Sequence, residues 1–234
     1  MEYIIILIIC LSTVFILKFA FNIKIKDFNK IKQIGYDKQL NEITNKLPTN
    51  KEVCEQILKK LKNDNVKIQI NDDKNSELSY YMAINNNIII ANINNTFTRI
   101  QTIAHECLHS CQDRRLQLSN FIVSNINIFY FLTISILTIC KVINNDMFYT
   151  AILLLLTCMQ FAIRSFLEID AMTKAKFLVK EYMENKDLCT KEEQNKLLNE
   201  YEKINKFGIP FVVDNLLTGG LVRVLIYTVI AIIV

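Results

Sequence analysis

Four stretches of the chain are apolar almost without interruption, and the polar positions fall between them in two long blocks. Residues 3–21, YIIILIICLSTVFILKFAF, carry one charge, Lys18, near the end where its stem can lie on apolar surface while the ammonium reaches water. A helix of that length crosses the roughly 30 Å of bilayer hydrocarbon. No basic segment precedes the run and no small-x-small site follows it, so it reads as a first transmembrane helix and not as a cleaved signal. Two further runs, FIVSNINIFYFLTISILTICKVI from Phe121 and MFYTAILLLLTCMQFAI from Met147, are separated by Asn144, Asn145 and Asp146 and predict a transmembrane hairpin. The stretch from Leu216 to Val234 is long enough for a fourth crossing, although Arg223 lies inside it and Asp214 just before it.

The pattern changes in the polar blocks. LPTNKEVCEQILKKLKNDN places Thr49 three residues before Glu52, a capping box, and then Val53, Cys54, Ile57, Leu58 and Leu61 at helical spacing. VKIQI alternates from Val66, Asp72 and Asp73 supply a turn, and ELSYYMAINNNIIIAN predicts two strands about the Asn-rich turn at Asn85 to Asn87. A hairpin plus one strand is expected. Beyond it, with Asn95 or Thr96 as cap, Ile100, Ile103, Ala104, Cys107, Leu108 and Cys111 recur at helical spacing. TKEEQNKLLNEYEKINKFG, with a second capping box at Thr190 and Glu193, predicts a solvated helix covering whatever lies beneath. The expected fold is therefore a mainly α membrane protein with a small β-sheet. Its expected segments are an N-terminal span (1–21), a polar part with hairpin and helix (22–120), a membrane hairpin (121–163), a helical segment (164–210) and a C-terminal span (211–234).

Composition sharpens this in three ways. Half of the residues are apolar and gathered into runs, which is a membrane pattern, whereas a net charge of +4 without a basic cluster interleaved with aromatics gives no case for nucleic acid. The polar blocks hold 24 of the 27 Lys and Arg residues, among them Lys24, Lys26, Lys30, Lys32, Arg114 and Arg115, so the positive-inside rule puts both blocks in the cytoplasm. The seven cysteines show no paired-motif spacing, and Cys10, Cys140 and Cys158 lie in hydrophobic spans. Reduced thiols are expected. Cys107 and Cys111 share a helical face and read as core packing before metal ligation. The bias toward Asn, Ile and Lys over Gly, Pro and Trp fits an AT-rich genome and says nothing of function.

Both histidines of the chain lie in AHECLHSCQD, residues 104–113. Chance places two histidines four apart with Glu after the first in about one such chain in two thousand. On a helix, His105 and His109 project from one face and can reach a single metal ion, while Glu106 is turned about 100° away, where it can hold a water. Catalytic zinc keeps three protein ligands and one open position, so a third must come from elsewhere. With no histidine left, the candidates are acidic. Glu168, in RSFLEIDAMTKAKFL directly after the third span, is preferred because Ala171 and Ala175 give its face a smooth packing surface. Asp170, two residues on and facing the other way, is its rival.

HECLHSCQD after a strand pair, and EIDAMTKA after a membrane hairpin, resemble the bacterial membrane neutral zinc metallopeptidases, whose pattern is similar to HEVGHAxQ followed by EFDASRRA. More distantly the chain is similar to the heat-shock membrane metalloproteases and the prenyl-protein endopeptidases. The resemblance implies a zincin-like core in an integral protein of a bacterial cell membrane, with Zn2+ held by His105, His109 and Glu168 and Glu106 as general base, later acid, in hydrolysis of peptide or membrane-protein substrates. Gln112 matches the glutamine of that pattern. Leu108 stands where the pattern has glycine, and Met172 where distant relatives place an aspartate that orients a ligand histidine. Those departures define the competing expectation, an inactive membrane scaffold or interaction protein that retains a degenerate metal site.

Three subsidiary expectations follow. The strand around Ile88 to Ala91 could offer its edge to an extended peptide. Arg223 could stabilise an oxyanion, although pairing with Asp214 or snorkelling is the simpler account. Tyr182 and Tyr201 are further candidate donors.

Overall fold

Thr49 caps the helix that follows it as the spacing requires. Its hydroxyl accepts from the Glu52 backbone N–H at 3.4 Å, and the Glu52 carboxylate accepts from the Thr49 backbone N–H at 3.0 Å. The computed structural model describes residues 2–20, 37–71, 73, 78–184 and 189–234. Lys24, Lys26, Lys30, Lys32 and Asp72 lie outside them. In chain order the elements are α1 (Glu2–Ala20), α2 (Lys38–Asn45), α3 (Asn50–Lys60), β1 (Lys67–Ile70), β2 (Tyr80–Met82), β3 (Asn87–Ile90), α4 (Arg99–Cys111), α5 (Arg114–Ile139), α6 (Asp146–Glu184) and α7 (Lys191–Ile233). The chain is mainly helical, with a small mixed sheet and four helices long and apolar enough to cross a membrane. It divides into two compact units, one of Met1–Lys24, Leu118–Phe166 and Pro210–Val234, the other of Ile25–Gln117 and Leu167–Ile209.

The second unit, here the site unit, has an apolar interior. Val53, Cys54 and Ile57 of α3, Ile88 and Ile90 of β3, and Ile100, Ile103 and Cys107 of α4 are all fully buried in one cluster with Val179 and Tyr201. Its sheet has the order β1-β3-β2, with β1 parallel to β3 (Ile68↔Ile88) and β2 antiparallel to it (Tyr81↔Ile88). The expected hairpin and single strand are present, and Asn86 turns the hairpin at a φ of 50°, a conformation asparagine tolerates. The start of α4 differs from the expectation. Thr98, not Asn95 or Thr96, is its cap residue and makes no side-chain cap bond, and the Thr96 hydroxyl donates to the Ile93 carbonyl. Arg99, at the first turn, is 4 % exposed. Its guanidinium donates to the carbonyls of Thr44, Leu47 and Pro48 and to Asn50 Oδ1, tying the end of α2 to the start of α3. Nothing in the hydrophobic pattern signals that clamp.

The first unit, the apolar unit, is patterned the other way. Phe129, Ile136 and Leu155 are 67, 60 and 61 % exposed, whereas Asn127, Thr138 and Thr157 are buried. The inner polar groups bond across helices: Asn127 Nδ2 donates to Thr157 Oγ1 at 3.2 Å, and Gln160 Nε2 to Ser124 Oγ at 3.1 Å. Gly220 admits α7 close to α6, since a Cβ there would stand 2.5 Å from Thr157 Cγ2. Arg223 donates through Nη2 to Gln160 Oε1 at 3.1 Å, so its partner is an amide of α6, in place of the Asp214 pairing expected.

Two boundaries move. The hairpin turn is not Asn144 to Asp146 but residues 140–145, because Lys141 adopts a φ of 56° and the Val142 N–H closes on the Leu137 carbonyl, ending α5 early. The expected covering helix and C-terminal span are one 43-residue helix with Pro210 inside it. Proline only deprives the residue 206 carbonyl of its partner, and the rest of the ladder is intact.

Candidate metal centre

The motif helix α4 has two faces. One packs Ile100, Ile103, Ala104 and Cys107 into the core of the site unit, each fully buried. The other carries His105 and His109, one turn apart, with side chains 18 and 11 % exposed. On α6, Ala171 and Ala175 are buried, and Glu168 lies one turn before Ala171 with 22 % of its side chain exposed.

These elements bring three ligand atoms together. His105 Nε2 and His109 Nε2 are 3.0 Å apart. Glu168 Oε2 lies 3.4 Å from the first and 3.6 Å from the second. A tetrahedral ion with ligands at about 2.05 Å sets ligand atoms about 3.3 Å from one another. The three observed edges bracket that value, so the residues present fit a metal ion. Among the described residues this is the group of His, Cys, Asp and Glu side chains that could hold one.

The electrostatics agree with the geometry. Burial alone would raise the Glu168 carboxyl, but its bonds to His105 and His109 hold it well below the usual carboxylate range. His105 is lowered, chiefly by burial. His109 is also buried, yet its contacts with Glu168 and the charge of Glu106 reverse that and raise it. Glu106 is 6 % exposed, and burial pushes its carboxyl up to about 8, against the opposing pull of His109 and a bond from the Tyr81 backbone N–H.

The surroundings settle several sequence expectations. Asp170 does not join the three ligand atoms. One of its oxygens pairs with Lys174 at 2.5 Å, and the other accepts from Gln112 Nε2 at 3.0 Å. Gln112 Oε1 in turn stands 2.8 Å from His109 Nδ1, and Gln117 Nε2 donates to the same oxygen at 2.9 Å. Sequence reasoning matched Gln112 to a pattern without giving it a role and missed Gln117. The only signal was their polarity beside a histidine, which does not reveal which atom faces which. Leu108 is half-buried and packs onto the core, a place for a side chain where the resembled pattern has glycine. Met172 contributes its carbonyl, which accepts from Asn205 Nδ2 at 3.0 Å.

Other candidates lie elsewhere. The Tyr182 hydroxyl donates to Gln56 Oε1 at 2.9 Å, and the buried Tyr201 hydroxyl to the Phe97 carbonyl at 2.7 Å, so both serve the core. The edge expected at Ile88 to Ala91 is not free, because β3 is the central strand and is paired on both sides. Among the described residues the outer strands of the sheet are β1 and β2, and β2 is the one whose Tyr81 N–H reaches Glu106. Comparison with family models, with curated proteins and with solved structures finds no match to this chain.

Proposed function

We propose that this chain is an integral membrane zinc metallopeptidase, with a zincin-like core in which His105, His109 and Glu168 hold the ion and Glu106 serves as general base. The observation that carries the reading is the convergence of two imidazole nitrogens of α4 and one carboxylate oxygen of α6 at 3.0 to 3.6 Å, with the buried Glu106 beside the histidines on α4. Zinc has the matching ligand preference and, once bound, supplies Lewis acidity and a water of lowered pKa.

The chain's own residues do the rest. Glu106 has its carboxyl near 8 in surroundings that include the anionic Glu168. With a cation on the three ligands that carboxyl would fall, and Glu106 as a carboxylate would take a proton from the attacking water and return it to the departing amine. The Tyr81 N–H orients that carboxylate from the sheet. An extended peptide pairs with the outer edge of β2, the strand beside this chemistry. The concentration of Lys and Arg in the two polar blocks supports a cytoplasmic site, and the four apolar helices support integration in the bilayer.

The test uses the purified full chain and an unfolded membrane-protein substrate. Wild type is expected to carry zinc and cleave; Glu106→Gln is expected to keep the zinc and lose cleavage. Equal cleavage by both proteins removes Glu106 from the chemistry and the enzyme reading with it. A wild type that binds no zinc favours the scaffold.

A further inference from the structure

Among the described residues, His109 differs from His105 in having a partner on its second ring nitrogen. The hydrogen-bond directions around Gln112 can be worked out from its neighbours. Gln112 Nε2 lies 2.8 Å from the Leu167 carbonyl and 3.0 Å from Asp170 Oδ2. Both are acceptors, so this end of the amide is the NH2 group and both of its hydrogens are used. The opposite end, Oε1, is therefore the atom 2.8 Å from His109 Nδ1, and it also accepts from Gln117 at 2.9 Å. A carbonyl oxygen can only accept, and Gln117 Nε2, 3.4 Å from His109 Nδ1, has closer acceptors for its two hydrogens in Gln112 Oε1 at 2.9 Å and the His109 carbonyl at 3.3 Å, so His109 Nδ1 carries the hydrogen. In the neutral ring the lone pair of His109 is then on Nε2, the atom that faces His105 and Glu168.

We infer that Gln112 is a positioning residue for the metal centre: tethered by Asp170 and the Leu167 carbonyl beside Glu168, it fixes the tautomer and ring angle in which His109 Nε2 can bind metal. The inference rests on the metal-centre reading. It also accounts for Met172. An aspartate that orients a ligand histidine through Nδ1 is replaced here by an amide relay whose carboxylate, Asp170, sits one bond further out. Because Leu167, Glu168 and Asp170 are neighbours on α6, the relay couples the histidine's orientation to the segment bearing the third ligand. His105 has no such partner among the described residues, so the burden of preorganisation falls on His109.

The experiment measures zinc affinity of the full chain by competition with a chelator, together with the visible spectrum of the cobalt-loaded protein, which reports ligand geometry without any substrate. Gln112→Met keeps the side chain's length and removes both its donor and its acceptor. It is expected to weaken zinc binding about 10- to 100-fold and to alter the cobalt spectrum, with thermal unfolding of the metal-free protein unchanged. Asp170→Asn keeps an acceptor oxygen for Gln112 Nε2 and is expected to bind zinc within a few-fold of wild type, whereas Asp170→Leu removes that acceptor and is expected to weaken binding and alter the cobalt spectrum, a difference that a packing role for Gln112 would not produce. Should Gln112→Met unfold, the Asp170 pair alone decides, since a loss confined to Asp170→Leu supports the relay and equal affinity in the two folded proteins overturns it. Wild-type affinity and spectrum in Gln112→Met overturn the relay and leave the metal centre standing. A wild type that binds neither zinc nor cobalt overturns both.

Discussion

The two units bury polar groups to opposite ends. In the apolar unit, Asn127 finds Thr157, Gln160 finds Ser124 and Arg223 finds Gln160, each contact joining a donor to an acceptor across helices. Such pairs hold apolar-faced helices together where lipid offers no partner. In the site unit, three electron-pair donors point at one another. Two Nε2 atoms and one Oε2 lie within 3.6 Å of one another. Donor matched to acceptor closes a structure, whereas converging acceptors leave room for a cation. The placement of apolar groups differs too: Phe129, Ile136 and Leu155 are exposed in the apolar unit, while Ile57, Ile88, Ile90, Ile100 and Ile103 are fully buried in the site unit.

This contrast can be broken at several points. The largest effect is expected from Glu106→Gln, which should lower peptide hydrolysis about a thousandfold, roughly 4 kcal/mol of barrier, with zinc content unchanged in elemental analysis. Arg99→Met comes next. It removes the guanidinium bonds to the Thr44, Leu47 and Pro48 carbonyls and should destabilise the site unit by about 3 kcal/mol in denaturant unfolding, leaving zinc stoichiometry in the folded protein intact. Third, zinc must displace the proton that Glu168 and Glu106 hold on His109, whose pKa lies above its ordinary 6.5. Affinity should therefore rise with pH until His109 has deprotonated and fall roughly tenfold per pH unit below that point, measurable by chelator competition. A flat profile would mean that no histidine proton is displaced. The smallest effect belongs to the apolar unit: Gln160→Leu removes two inter-helix bonds and should cost about 1 kcal/mol or less, with zinc affinity untouched.

What could be read from the sequence follows the range of the interactions involved. The Thr49 capping box, the hairpin at Asn86 and the one-turn spacing of His105 and His109 are local, and local patterns specify them. The preference for Glu168 over Asp170 rested on Ala171 and Ala175 making a smooth face, and both alanines are buried. The contacts that remained hidden depend on partners far along the chain. Arg99 had no signal in the hydrophobic pattern, because its partners are the carbonyls of Thr44, Leu47 and Pro48, about fifty residues earlier. The edge assigned to Ile88 was lost because β1 pairs with it in parallel, a crossover that no alternation pattern encodes. Gln112 was visible as a matched letter, but its function depends on which end of an amide faces an imidazole, and Leu167 sets that from another helix. The covering helix and the C-terminal span, expected as separate elements, are one helix that runs through Pro210.

The central claim is that two imidazoles and one carboxylate meet at a single ion, and X-ray absorption at the zinc edge of the purified protein tests it most directly. The account predicts one zinc per chain, nitrogen and oxygen ligands at about 2.0 to 2.2 Å with outer-shell scattering from imidazole, and loss of the bound metal in Glu168→Ala. Substoichiometric zinc, or a first shell containing sulfur at about 2.3 Å from the neighbouring cysteines, would contradict it.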